Sequence, residues 1–313
     1  MKLDTSKASI SVLGALNMDL IMNLNRPAKP GETVVGEKFY TAPGGKGGNQ
    51  AVAAARVSNS ESVSFFGFIG DDNYGSELKN YLKNEEIIIK NIKTHKNSHS
   101  GIAIIFTTNS GQNHVNAVYG ANEKKDLSLV DVFNKNIKST KILITQNELD
   151  EEITRECMSI AIENNIPIIL DPAPYRDNLD FDYYKMADFI TPNEIESEYM
   201  TGIKIQNIED AKKSANLLVA KGIKNCIITL GENGAYFKNE NFENHFKPHK
   251  IQEVKASVAA GDAFSGILGA SLASGEELNK SIDTAIVGSA LSVTKYGAQE
   301  SMPLYDEIIN AIN

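Results

Sequence analysis

Residues 141–170, KILITQNELDEEITRECMSIAIENNIPIIL, read as strand, helix, strand. Residues 141–145 are a short apolar run, which predicts a buried strand. Residues 151–164 carry apolar side chains at helical spacing, and residues 166–170 are a second β run. Two strands joined by a helix form a parallel crossover unit. The alternation continues toward the C-terminus. It predicts strands over 188–191 and 225–230, and helices over 193–201, 208–221, 260–274, 277–294 and 305–312. The fold class is therefore α/β, with a central, mainly parallel sheet covered by helices on both faces.

The N-terminal third reads differently. Residues 10–16 predict a strand that runs on into 19–24, and 33–41 predict another. Residues 102–107 and 114–119 flank Asn109-Ser110-Gly111-Gln112, a hairpin pattern. With no crossover helices between them, these strands predict a small β-sheet added to the main body. The expected organisation is one domain over 1–313, with a β-lid formed by about 17–42 and 101–120.

Composition narrows the partners. A net charge of −9 repels nucleic acid and anionic lipid, so neither is an expected partner. No run approaches a membrane span, and residues 1–9 lack the apolar segment of a signal peptide. A cytoplasmic protein is expected. Cys157 and Cys226 sit in apolar stretches and read as buried small hydrophobes. The five histidines make no HxxxH or HExxH pair on a helical face, which disfavours metal-dependent hydrolysis.

Several short motifs are able to carry chemistry. Ala259-Ala260-Gly261-Asp262 opens a predicted helix. Small residues there let an anion approach free N–H groups at the positive end of the dipole. Asp262 is either a plain N-terminal cap or a base beside a phosphate cradle. Gly44-Gly45-Lys46-Gly47-Gly48-Asn49-Gln50 precedes a predicted helix over 49–57. It matches neither the Walker A loop nor the dinucleotide fingerprint, and it reads as a tight turn, a phosphate site or a sugar site. Asn17-Met18-Asp19 reads either as a solvated turn or as an amide and a carboxylate on one side of a strand, suited to adjacent hydroxyls. Thr191-Pro192-Asn193-Glu194-Ile195-Glu196 has Asn193 at an N-cap and Glu196 at the capping-box position, either as structure or as a contact to phosphate through water and Mg²⁺. Thr229-Leu230-Gly231-Glu232-Asn233-Gly234 is a turn at a strand's carboxyl end, where open α/β sheets bind ligands. Glu148 lies at the same edge.

Taken in order, these motifs resemble the ribokinase family, within the PfkB-type carbohydrate kinases. Pro30-Gly31-Glu32-Thr33, Gly70-Asp71-Asp72 and Asp171-Pro172-Ala173-Pro174 extend the likeness over nearly the whole chain. The resemblance implies an ATP- and Mg²⁺-dependent sugar kinase that pairs into a homodimer through its lid. It implies that Asn17, Asp19, Gly45, Lys46, Asn49 and Glu148 hold the sugar, with Met18, Gly44, Gly47 and Gly48 among them. It implies that Asp262 is the base, with Gly261, Ala260 and Ala259 as an anion hole. Asn193 and Glu196 match the phosphate and Mg²⁺ region, and Thr229 to Gly234 the nucleotide loop. Ribose phosphorylated at O5 is the expected reaction. Deoxyribose, fructose or a nucleoside are alternative acceptors, and a non-catalytic sugar sensor is a further alternative.

Two positions depart from the pattern. Family members carry an Asp six residues before the base as a K⁺ ligand, and here Ala256 stands there, preceded by Lys255. Val258, Ser292, Lys295, Gly297 and Ser301 match the other cation positions. K⁺ activation is therefore expected to be weak or absent. Ile286 replaces a polar residue near adenine, which leaves base selectivity open.

Overall fold

The computed structural model describes residues 2–108 and 113–312. The chain opens with β1 (Ile10–Leu13), β2 (Asn17–Leu24), β3 (Lys38–Gly44), α1 (Lys46–Val57), β4 (Val63–Gly70), α2 (Asn73–Asn84) and β5 (Ile92–His95). It continues through β6 (Gly101–Thr108), β7 (Asn113–Val118), α3 (Ser128–Asn136), β8 (Ile142–Gln146), α4 (Glu151–Glu163) and β9 (Ile168–Asp171). There follow α5 (Phe181–Lys185), β10 (Phe189–Ile190), α6 (Glu194–Thr201), α7 (Ile208–Ala220), β11 (Asn225–Thr229), β12 (Ala235–Asn239) and β13 (Glu243–Phe246). The helices α8 (Ala260–Ala273), α9 (Leu278–Ser292) and α10 (Tyr305–Ile312) close the chain.

The large sheet has the order β13-β12-β11-β10-β9-β8-β1-β4-β5. Its strands are parallel from β11 to β5, and only the β11–β12 and β12–β13 pairs are antiparallel. Successive strand residues divide between two cores. Val12, Ile144 and Ile169 pack on one face with Ala54 and Ile267, while Leu13, Leu143 and Ile168 pack on the other with Phe133 and Met158. Helices on both faces are what apolar side chains on both sides of a strand require. Cys157 and Cys226 are buried and free, and burial pushes both thiols up.

The small sheet has the order β3-β2-β6-β7, with β2 and β6 parallel. Three sequence expectations need correction. The first strand does not run through to residue 24: β1 ends at Leu13 in the large sheet, and β2 starts at Asn17 in the small one. Gly14 stands at this break packed against Gly47, where a Cβ on Gly14 would come within 2.7 Å of the Gly47 Cα. The second strand begins at Lys38, not 33. The N-terminal third also contributes β4 and β5 to the large sheet, with α1 and α2 in the connections. The turn residues 109–112 lie outside the described residues, and the flanking β6 and β7 pair antiparallel.

Candidate active site

The site is built where β1, β8 and β9 end and where α1 and α8 begin. The glycine turn comes first. Gly45 has φ 85°, and a Cβ there would meet the backbone of Ala15 and Asn17 at 2.7 Å. Only glycine lets this turn sit on the β1–β2 connection. Helix α1 starts inside the glycine run, at Lys46 and not at Asn49, because its first N–H groups find partners. Lys46 N donates to Glu148 Oε2 at 2.8 Å, and Gly48 N donates to the Ala15 carbonyl at 3.1 Å. Those backbone donors are thus engaged within the protein.

The start of α8 is different. Its N-cap, Ala259, has φ 61° and makes no side-chain cap. A non-glycine residue in the left-handed region costs roughly 1 kcal/mol. A cavity of about 200 Å³ lies against this end. Ala259, Ala260, Gly261 and Asp262 line it, with Lys46, Asp171, Thr191, Asn193, Glu196, Thr229 and Ser257. A Cβ on Gly261 would meet no heavy atom within 4 Å.

Asp262 is 4% exposed. Its Oδ2 accepts from Asn49 Nδ2 at 2.8 Å and its Oδ1 from Gln50 Nε2 at 3.0 Å. Lys46 Nζ lies 3.7 Å from Asp262 and 3.5 Å from Asp171. Burial alone would lower the Lys46 ammonium, but Asp171, Asp262, Glu148 and Glu196 outweigh it and hold the charge firmly. Asn49 Oδ1 is buried and has no hydrogen-bond partner, so the residue has an acceptor left beside the acid.

The acids outnumber their counter-charge. Burial, then Glu148, pushes Asp19 up to about 7. Burial pushes Glu148 up to about 7 against the pull of Lys46. Burial also raises Asp171 and Glu196. Asn17 and Asp19 share one side of β2, and Asn122 Nδ2 donates to Asn17 Oδ1 at 3.1 Å. Met18 faces the opposite way and packs into the main core.

On the far side of the cavity, Asn193 and Glu196 form the expected capping box on α6. Asn193 Oδ1 accepts from the Ile195 and Glu196 N–H groups, and Glu196 Oε2 accepts from Asn193 N at 2.8 Å. Of the 229–234 turn, only Thr229 lines the cavity. Leu230 and Gly234 are buried, and Gly231–Asn233 form an exposed single turn. Ile286 is buried in the main core and lines a separate cavity of about 560 Å³, with Lys247 and His249.

At the positions matched to a cation site, Lys255 N and Ala256 N both donate to the Val293 carbonyl. Ser292 Oγ and Ser301 Oγ donate to the carbonyls of Ser289 and Ala298, Lys295 pairs with Glu307 at 2.7 Å, and Gly297 has φ 96°. Val258 and Lys255 are exposed, with the Lys255 ammonium 6.0 Å from the Tyr296 ring. Position 256 brings no carboxylate to this loop, whereas the Glu300 carboxylate lies against Gly297. Among the described residues, no group of three or more His, Cys, Asp or Glu side chains is arranged to hold a metal.

Gln50, Asp171, Gln146, Asn122 and Ser257 were not singled out by sequence as site residues. Gln50 adjoins the glycine run and Asp171 opens a quoted motif, so each lay beside a signal.

The family model for pfkB family carbohydrate kinases matches residues 7–304. A ribokinase of Schizosaccharomyces pombe is 33% identical over 312 residues, covering 97% of this chain and 98% of its own. A deoxyribokinase of Salmonella typhi is 30% identical, covering 95% and 96%. The crystal structure of a Thermotoga maritima ribokinase superposes with a TM-score of 0.88 at 31% identity, covering 97% of this chain and 99% of that one. The chain therefore belongs to the pfkB family of carbohydrate kinases, and it is an ATP-dependent carbohydrate kinase. Among the described residues, no helix is long and apolar enough to cross a membrane.

Proposed function

We propose that this kinase transfers the γ-phosphoryl group of ATP to O5 of D-ribose, giving ribose 5-phosphate and ADP. The observation that carries this reading is the setting of Asp262. Its carboxylate stands at the uncapped start of α8 and is held by two amides from the helix that leaves the glycine turn. One acid thus touches both halves of the site.

Asn17, Asp19, Gly45, Lys46, Asn49 and Glu148 grip the sugar hydroxyls, and Asp262 accepts the O5 proton. O5 then bonds to the γ-phosphorus as the bond to the ADP oxygen breaks. The free amides of Ala260 and Gly261 and the α8 dipole stabilise charge on the moving phosphoryl group. Thr229 to Gly234 flank the nucleotide. Glu196, whose Oε1 is not used by the capping box, would offer a hard oxygen to a Mg²⁺ carried on the phosphates and reached through water, and the Asn193 Nδ2 would donate to phosphate. Bound there, the ion neutralises phosphate charge. No step runs through a K⁺ ion.

In this reading the chain is one catalytic unit, and the small sheet is a lid that excludes water from the transfer. The exposed Phe39, Tyr40, Val115 and Val118 on that sheet suit pairing with a second copy in a cytoplasmic homodimer.

ADP release measured over a sugar panel tests the reading. Ribose is expected to give the highest kcat/KM. Deoxyribose, fructose or a nucleoside outperforming it would reassign the acceptor, and deoxyribose has a family precedent at 30% identity. Sugar binding without any sugar-dependent ADP release would mean a sensor.

A further inference from the structure

Gln50 is fully buried on α1, one turn beyond Lys46. Its Nε2 donates both hydrogens to acids: to Asp171 Oδ2 at 2.8 Å and to Asp262 Oδ1 at 3.0 Å. Its Oε1 accepts from Gln146 Nε2 at 2.6 Å. Carboxylates facing a glutamine side chain accept only, so these three partners fix which end of the amide faces which way. Gln146 is itself fully buried at the end of β8, in register with Asp171 at the end of β9. Its Oε1 lies against Gly14, where a Cβ would come within 2.1 Å.

The Asp262 carboxylate therefore has two anchors. Asn49 holds Oδ2 from the first turn of α1, and Gln50 holds Oδ1 from a chain that runs to two central strands. A carboxylate held at one oxygen still turns about its Cβ–Cγ bond. The second anchor removes that rotation.

We propose that Gln50 and Gln146 are positioning residues for the transfer, a buried amide chain that fixes the rotation of the Asp262 carboxylate toward the acceptor hydroxyl. The proposal rests on the reading of Asp262 as the base. Asp171 completes the chain by accepting the second Gln50 hydrogen. Asp171 also faces the Lys46 ammonium at 3.5 Å, so its charge serves the site apart from the amide chain.

The protein tests this with ADP release, calorimetric ribose binding and thermal melting on Gln50→Leu and Gln146→Leu. Misorienting a base costs turnover more than affinity. Both leucine variants are expected to lose about 10- to 100-fold in kcat while ribose Kd stays within about 3-fold. Gln50→Asn, which withdraws the amide by one methylene and stays polar, is expected to show the same kcat loss and serves if the leucine variants do not fold. Unchanged kcat in Gln50→Leu or Gln50→Asn, or kcat and affinity falling together, overturns the proposal. Asp262→Ala separates the two readings. If it still turns over, the base assignment fails; if it is inactive while the Gln50 variants are normal, only the amide chain fails.

Discussion

The main-chain N–H of Lys46 donates to the Glu148 carboxylate at 2.8 Å. This bond closes the start of α1 with a protein acid, whereas the start of α8 has no side-chain cap. Two glycine- and alanine-rich helix starts that look alike in sequence are thereby sorted: one is engaged by its own protein, the other opens on a cavity. Four predictions follow from this asymmetry and from the charges around it.

Asp262→Asn keeps the shape of the side chain and removes its capacity to take a proton. The expected outcome is a fall in kcat of about 10²- to 10⁴-fold. Ribose affinity by calorimetry should change little. Near-normal turnover would remove Asp262 from the base role.

Asp19 and Glu148 both hold protons in the fold up to about 7, while unfolded carboxylates release them near 4. The folded state thus binds more protons across that window. Their contribution to stability is full below about 4 and is lost as pH rises through about 7. The sugar-free protein should melt progressively lower between pH 5 and 8, by amounts on the order of 1 kcal/mol per group. Asp19→Asn should flatten that slope and weaken ribose binding. A slope unchanged in the variant would refute the assignment.

Gly261→Ala adds a methyl that meets no protein atom within 4 Å. Within a helix start the substitution should leave stability unchanged or raise it by up to about 1 kcal/mol. The methyl narrows the cavity, so KM for ATP is expected to rise about 10-fold. A normal KM would place the phosphates elsewhere.

Adding K⁺ to the purified enzyme should change kcat/KM by less than about 2-fold, because position 256 offers a methyl group in place of an anion. Ala256→Asp should introduce K⁺ dependence. Strong activation of the parent enzyme would show that backbone oxygens alone suffice.

The α/β class was legible because buried parallel strands are apolar on both faces and their helices are amphipathic; residues 141–170 fold as read. The break between β1 and β2 was hidden, since Gly14-Ala15-Leu16 is as apolar as the strands it separates. At the break Gly14 packs closely on Gly47, 33 positions away, a contact the local pattern does not show. The acids and amides at glycine turns were legible from their motifs. Gln146 was not, because a single amide at the end of an apolar strand has no period, and its partner Gln50 is 96 positions distant. The Asn193 capping box was read correctly from four residues, because both of its bonds are local.

β2 begins at Asn17, with three residues between it and the end of β1, and the same strand carries Asp19 on its buried side and pairs with β3, whose Phe39 and Tyr40 are exposed. The proposed grip on the acceptor and the outer surface thus lie on one hydrogen-bonded pair of strands. With Asn17 and Asp19 holding the acceptor as proposed, whatever seats against Phe39 and Tyr40 bears on them through the β2–β3 pairing.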